Sequence, residues 1–177
     1  MNKDLLIKHL RVVPDYPVKG IMFFDVTTLF KEKDCMKEIV DAICDIYKDK
    51  GITKVAGIES RGFISAAAVA HRLGAGFVPI RKPGKLPADT VRETYTKEYG
   101  TDMIEIHTDA ISPSDVVLIH DDILATGGTA WAAANLVKKF HPKAVFLNFI
   151  IDITDVPRLS PIPADIPVSS LLQLSEN

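Results

Sequence analysis

Val117 to Ala130 reads V-L-I-H-D-D-I-L-A-T-G-G-T-A, and this stretch decides the fold. The apolar run Val116 to Ile119 has no polar interruption, as a strand buried on both faces of a sheet requires. Two adjacent aspartates, Asp121 and Asp122, end the strand. The turn Ala125-Thr126-Gly127-Gly128-Thr129 follows, and then a helix over Thr129–Phe140 with Ala130, Ala133, Val137 and Phe140 on one stripe. Strand, glycine turn and helix in succession form one unit of a parallel sheet. Side-by-side carboxylates repel unless a ligand or cation compensates them. The turn beside them is itself built to hold an anion, so the stretch poses a chemical question as well as a structural one.

The same pattern recurs on either side. Val55–Ile58 is a short buried strand, Glu59-Ser60-Arg61-Gly62 a turn, and Phe63–Leu73 an alanine-rich helix stopped by Gly74. Phe77–Ile80 and Val145–Ile151 are further strands. Glu32–Lys50 reads as a helix through Met36, Ile39, Val40, Ile43 and Tyr47, with Gly51 as its stop. Asp4–Leu10 is a short helical segment, broken by V-V-P-D-Y-P-V-K-G before the apolar run Ile21–Phe24. Arg81–Gly100 has no hydrophobic period and is expected to be a long loop, with Met103–His107 a short strand or hairpin arm. The tail carries Pro157, Pro161, Pro163 and Pro167 and leaves room for one short strand, about Val168–Leu172. The alternation predicts a single α/β domain: a mainly parallel central sheet with helices on both faces. Ligands in such sheets bind at the carboxyl ends of the strands.

Bulk properties narrow the function. The 177 residues suit one domain with a sizeable core. A net charge of -2 gives no global pull toward nucleic acid or membrane, so any anion site is local. Cys35 and Cys44 stand nine positions apart in one helix, about 13 Å along its axis, too far for a disulfide. Their spacing fits no zinc pattern. M-N-K-D-L-L-I-K-H-L is too charged for a signal peptide, and no apolar run approaches the ~20 residues that span a bilayer. A cytoplasmic enzyme or binding protein is the expectation, without nucleic-acid or membrane partners.

The glycines of Ala125–Thr129 permit a tight turn that exposes backbone N–H groups. The helix N-terminus adds donors and partial positive charge. No Gly-Lys-Ser/Thr follows, so this is not a Walker loop, and no third glycine completes a dinucleotide fingerprint. Taken alone, the turn could be an ordinary helix start capped by Thr126 or Thr129. Beside Asp121 and Asp122 it gains a partner: carboxylates accept hydrogens from a vicinal diol, and a sugar 5-phosphate lies a few ångströms from that diol. Acid pair and phosphate turn together suit a ribose 5-phosphate. A solvated loop or a Mg²⁺ site is the alternative use of the pair.

Val117–Thr129 closely resembles the signature of the type I phosphoribosyltransferases, which bind 5-phosphoribosyl-1-pyrophosphate (PRPP). Four further stretches resemble the adenine-specific branch of that family: I-E-S-R-G-F (58–63), R-K-P-G-K-L-P (81–87), T-K-E-Y-G (96–100) and Y-P-V-K-G-I-M-F-F-D-V-T (16–27). The resemblance runs in order over nearly the whole chain. It implies a Rossmann-like core (about 31–155), a small N-terminal hood (about 1–30) and a mobile lid (about 82–103). It implies transfer of the phosphoribosyl group of PRPP to adenine, giving AMP and pyrophosphate in purine salvage. A transferase for another purine such as xanthine, or a non-catalytic PRPP sensor, is the alternative.

Residue by residue, the resemblance implies that Ser60, Arg61, Asp121, Asp122, Ala125, Thr126, Gly127, Gly128 and Thr129 bind PRPP. It also implies a cis peptide near Glu59-Ser60. Arg81, Lys82 and Lys85 would reach the pyrophosphate of a partner subunit in a homodimer. Glu98, Asp122 and Arg61 are the catalytic candidates, with Tyr99 beside Glu98 in the lid. Phe23 would stack on adenine, while the Met22 carbonyl and Phe24 N–H read its edge. Phe24 stands where the family often has arginine, and His120 where it has an aliphatic residue, so His120 is expected to pack beneath the site. Ile153 would lie near the base. Mg²⁺ is the implied cofactor, carried by substrate oxygens and water, with no protein ligand assigned.

Overall fold

The computed structural model describes residues 1–96 and 100–175. The chain opens with α1 (Lys3–His9), β1 (Arg11–Pro14), β2 (Met22–Asp25) and the single turn α2 (Thr27–Phe30). Then come α3 (Lys33–Tyr47), β3 (Lys54–Ile58), α4 (Gly62–Leu73) and β4 (Gly76–Ile80). A hairpin of β5 (Thr90–Thr96) and β6 (Thr101–His107) precedes β7 (Val116–Leu124), α5 (Gly128–Lys138), β8 (Ala144–Ile153) and β9 (Val168–Leu174).

Five strands make one parallel sheet in the order β4-β3-β7-β8-β9. Growth runs outward from the centre in both directions, β3 to β4 on one side and β7 to β8 to β9 on the other. The order therefore reverses between β3 and β7, which is where an open α/β sheet leaves its ligand crevice. Alternate residues of β7 feed opposite cores. Leu118 joins Val55, Val69, Ile39, Ile43 and Ile150 under helices α1 to α4. Val117 and Ile119 join Ala133, Leu136, Ile104, Ile106 and Phe149 under α5 and the hairpin. Both faces are covered, as the unbroken apolar runs require. Cys35 and Cys44 are buried free thiols of α3. Among the described residues no helix is long and apolar enough to cross a membrane.

Three expectations need correction. Arg81–Gly100 is not all loop, because Thr90–Thr96 pairs antiparallel with Thr101–His107. This hairpin buries Tyr95, Ile104 and Ile106, and its sequence is too polar on the other face to show a strand period. The central strand runs on through both aspartates to Leu124, paired with β8 as far as Leu124↔Asp152. Val12–Pro14, read only as the start of the stretch that breaks the first helix, lies in a strand, Arg11–Pro14, that pairs with Met22–Asp25.

Candidate active site

Two strand ends meet at the sheet's switch point. The first carries the turn Glu59–Gly62, in which the Glu59–Ser60 peptide is cis. The second carries Asp121 to Thr129. Gly62 lets them touch: a Cβ there would stand 2.8 Å from Asp121 Oδ1 and 3.0 Å from the His120 carbonyl oxygen. Any larger residue would push the start of α4 off the end of β7.

The phosphate turn is open. The residue before α5 is Gly127, with φ +84°, and no side chain caps the helix. Thr126 and Thr129 therefore leave the first-turn amides, which have no intrahelical partner, to a ligand. Asp121, Thr126, Gly127, Gly128, Thr129 and Phe149 line a concavity of about 100 Å³. A Cβ on Gly127 would meet the Ser160 carbonyl oxygen at 2.9 Å. The tail braces the turn at the same place: the Leu159 N–H donates to the Thr126 carbonyl (2.9 Å), and Arg158 reaches the Leu124 carbonyl (3.3 Å). Nothing in the spacing of the tail advertised this brace. A larger concavity, about 720 Å³, lies around Lys138, Ala144 and Pro167. It sits at the amino ends of β8 and β9, the wrong end of the sheet for a ligand crevice.

Arg61 joins the two strand ends. Its Nε lies 2.7 Å from Asp122 Oδ2, off the line of a hydrogen bond but well within ion-pair range. Its guanidinium also sits over the Phe23 ring, 5.2 Å from the centroid. Burial pushes the Asp121 carboxyl well up, and the neighbouring Asp122 charge adds to it. Burial raises Asp122 too, against the pull of Arg61. The free site thus holds an acid pair that one cation does not fully compensate, and donors from a ligand would complete it.

The hood supplies the base side. Phe23 is half-buried, with Tyr16 edge-on to it at 5.1 Å. Phe24, on the opposite face of β2, is in the core with Leu6, Val26 and Leu29. Its side chain has no route to a ligand, so only main-chain groups at this position can read one. Met22 is half-buried on the same strand. Ile153 is buried at the end of β8.

The cations of the basic segment have partners within the chain. Arg81 (3.2 and 3.3 Å) and Lys85 (2.6 Å) donate to the Glu59 carboxylate, and so does the Lys82 N–H (3.0 Å). Burial alone would raise Glu59, but these donors outweigh it and hold its pKa at about 2. The Lys82 ammonium instead contacts Asp102, and also Tyr95 Oη at 3.2 Å. Tyr95 Oη in turn accepts from Thr129 Oγ1 at 3.2 Å, tying the hairpin to the phosphate turn. Tyr95 went unread because its segment was taken for loop, and Asp102 because it fell between that loop and the strand expected from Met103. Glu98 and Tyr99 lie outside the described residues. His120 is fully buried beneath the aspartates, as expected, and burial lowers its pKa to about 4.

This arrangement, an anion turn, an acid pair and an arginine turn at one sheet reversal, has relatives. A phosphoribosyl transferase domain model matches residues 25–153. The chain belongs to the phosphoribosyltransferase family. An adenine phosphoribosyltransferase of Bacteroides fragilis is 57% identical over 176 residues, 98% of this chain and 99% of that one. The adenine phosphoribosyltransferase structure from Rhodothermus marinus matches with TM-score 0.90 and 47% identity over 97% of both chains. That of the Giardia lamblia enzyme, complexed with 9-deazaadenine, matches with TM-score 0.92 and 36% identity over 98% of both. The family fold is thus the α/β sheet described above, and the chain is an enzyme of phosphoribosyl transfer.

Proposed function

We propose that this phosphoribosyltransferase joins adenine to the phosphoribosyl group of PRPP, giving AMP and pyrophosphate in purine salvage, as a cytoplasmic homodimer. The observation that carries the reading is the double contact of Arg61. One side chain touches both the acid that would hold the sugar and the ring that would hold the base. The reacting carbon belongs between them.

In this reading Ala125–Thr129 hold the 5-phosphate with helix-terminal amides and hydroxyls. Asp121 and Asp122 accept hydrogen bonds from the ribose diol. Those donors compensate Asp122 and free Arg61 to grip the pyrophosphate near Ser60 in bidentate fashion. Adenine stacks on Phe23, and its edge is read by the Met22 carbonyl and the Phe24 N–H. The base nitrogen then forms its bond to ribose C1 from the face opposite the departing pyrophosphate oxygen, with inversion. Asp121 and Asp122 stabilise the positive charge that builds on the sugar. Glu98, beside Tyr99 in the lid, is the candidate to take the proton that adenine loses. Lid closure excludes water, so the sugar passes to the base and not to hydroxide.

Arg81, Lys82 and Lys85 are proposed to turn from Glu59 and Asp102 toward the pyrophosphate of a partner subunit on dimerisation. The site suits Mg²⁺ brought in with PRPP: the charge of the acid pair, which Arg61 only partly compensates, would attract the ion, and substrate oxygens and water would supply its coordination. When bound, the ion neutralises charge on the leaving pyrophosphate. Incubating the protein with Mg²⁺, PRPP and each of adenine, guanine, hypoxanthine and xanthine tests the reading. AMP is the expected product; ribosylation of another base in its place would overturn the base assignment.

A further inference from the structure

Beneath the acid pair runs a chain of buried polar groups that the proposed chemistry does not use. Ser65, His120 and Asn148 have no exposed surface, and Tyr47 is 3% exposed. Ser65 Oγ stands 2.7 Å from His120 Nε2, and His120 Nδ1 2.9 Å from Asn148 Oδ1. Asn148 Nδ2 donates to Ser169 Oγ at 2.8 Å. Ser169 Oγ is 2.8 Å from Tyr47 Oη, which donates to the Leu147 carbonyl at 3.2 Å.

The last acceptor fixes the direction of every bond before it. A carbonyl only accepts, so the single Tyr47 proton is committed there. Ser169 must then donate to Tyr47 and accept from Asn148. That places the Asn148 amide nitrogen toward Ser169 and its oxygen toward His120. His120 therefore carries its proton on Nδ1, and its bare Nε2 accepts from Ser65. Buried and fully paired, such a network specifies one arrangement of the elements it joins.

Two of those elements, α4 and β7, carry the turn and the acids of the site. Ser65 lies in the first turn of α4, four residues past Arg61. His120 immediately precedes Asp121 and Asp122 on β7, and its carbonyl is packed against Gly62. The Ser65–His120 bond thus crosses the seam between the arginine turn and the acid pair, directly under the Arg61–Asp122 contact. We propose that His120 is a positioning residue for PRPP, its Nδ1-protonated ring clamping the first turn of α4 to the end of β7 so that the pyrophosphate turn and the ribose acids keep one spacing. This rests on the reading that those two strand ends hold PRPP.

The test uses the full-length enzyme and the variants S65A, H120N and S65A/H120N, with D122N as the control for the site. S65A deletes one hydroxyl and H120N keeps a donor for Asn148, so each removes the same bond by a small change. Mg²⁺-PRPP affinity is read by calorimetry, and the KM for adenine from initial rates. Each single variant should weaken PRPP about tenfold, the scale expected of a small misplacement. Adenine KM should stay within about twofold, and the double variant should be no weaker than the singles because one bond is lost in all three. Nitrogen NMR of the unaltered protein should show His120 protonated on Nδ1. Unchanged PRPP affinity in S65A and H120N, or an Nε2-protonated ring, would overturn the clamp. If D122N also binds PRPP normally, the site reading falls and takes the clamp with it; if only D122N weakens binding, the site stands and the clamp alone fails.

Discussion

Asp121–Thr129 and the hairpin Thr90–His107 are joined by a hydrogen bond from Thr129 to Tyr95, yet they are held in opposite ways. β7 lies in the middle of a five-stranded sheet, paired with β3 as far as His120 and with β8 as far as Leu124. The hairpin pairs with itself and joins the body through an isolated bridge, Arg81↔Glu105, and through side chains. Its polar links to the rest of the chain are discrete, among them Lys82 to Asp102, Lys139 to Glu93, the Gly84 N–H to the buried Glu105, and Thr129 to Tyr95. The hood ribbon that carries Phe23 is likewise a two-stranded unit outside the sheet. In the proposed reading, the groups that would hold the sugar phosphate in one geometry stand at the ends of sheet strands, while those that would meet the base stand on a ribbon. Rigid elements hold sites more accurately than loops do, and short ribbons can open at low cost.

The contrast breaks first at the acid pair. D122N should lower kcat/KM by about a hundredfold or more, the scale for losing one preorganised electrostatic group. D121N should lower activity too, but raise the melting temperature of the ligand-free enzyme. The folded pKa of Asp121 lies above its unfolded value of 3.8. The folded state then binds the proton more tightly, so the group's stabilising contribution is complete below pH 3.8 and is lost as pH rises through the folded value. At neutral pH the charged pair opposes folding, and removing one charge relieves it. A D121N enzyme that melts lower than the parent at pH 7 would contradict this.

The same contrast explains what the sequence made legible. Buried parallel strands announce themselves as runs such as Val116–Ile119 and Val145–Ile151, and the glycine turns between them carry the chemistry. The parallel sheet and both strand-end turns could be read because each follows from burial on two faces or from backbone shape, while the buried place of His120 was read from the resemblance, which puts an aliphatic residue there. Ribbons half in water leave a weaker trace. Tyr95, Ile104 and Ile106 point inward while Arg92 and Thr94 face out, and a lone buried aromatic in a polar stretch was the one available sign. The Arg158 brace and the Ser65–His120–Asn148 chain join residues 28 or more positions apart. Such pairings come from topology, which no local period records.

Glu59 tests the seam between sheet and basic segment. Its unfolded pKa of 4.5 falls to about 2 in the folded chain. A depressed carboxylate contributes stability that is fully present above pH 4.5 and lost as pH falls toward the folded value. At about 1.4 kcal/mol per pH unit, the loss from this group approaches about 2 kcal/mol by pH 3. Denaturant unfolding of the parent and of E59Q between pH 6 and pH 3 should therefore converge at the acid end. Parallel curves would mean that Arg81 and Lys85 do not hold this carboxylate in solution.

Phe23 sharpens the division between sugar and base. F23A removes the half-buried ring but leaves the sheet untouched. Aromatic stacking on a base contributes ~1–3 kcal/mol, so adenine KM should rise about tenfold. PRPP affinity should change little, because Arg61 keeps Asp122 as its partner when the ring is gone. Equal weakening of both substrates would show that the hood ribbon is part of the sugar site and that the division between ribbon and sheet is too sharp.

Tyr95 makes the smallest predicted change and addresses the bond from Thr129 that joins the two regions. Y95F keeps the buried ring and removes only the hydroxyl. Lys82 and Asp102 remain an ion pair without it, and the hairpin ladder from Thr90↔His107 to Thr96↔Thr101 is unaltered. What goes is the acceptor for Thr129 and Lys82 and the donor to Asp102, partly buried hydrogen bonds of ~1 kcal/mol each. The hairpin should then open more often: amide exchange should quicken in β5 and β6, with no change in β7 or β8. PRPP affinity should fall by severalfold at most, since the phosphate turn keeps its amides and its brace from Arg158 and Leu159. Faster exchange spreading into β7 would show that the hairpin supports the sheet, and that the phosphate turn owes its shape to the ribbon as much as to the strand.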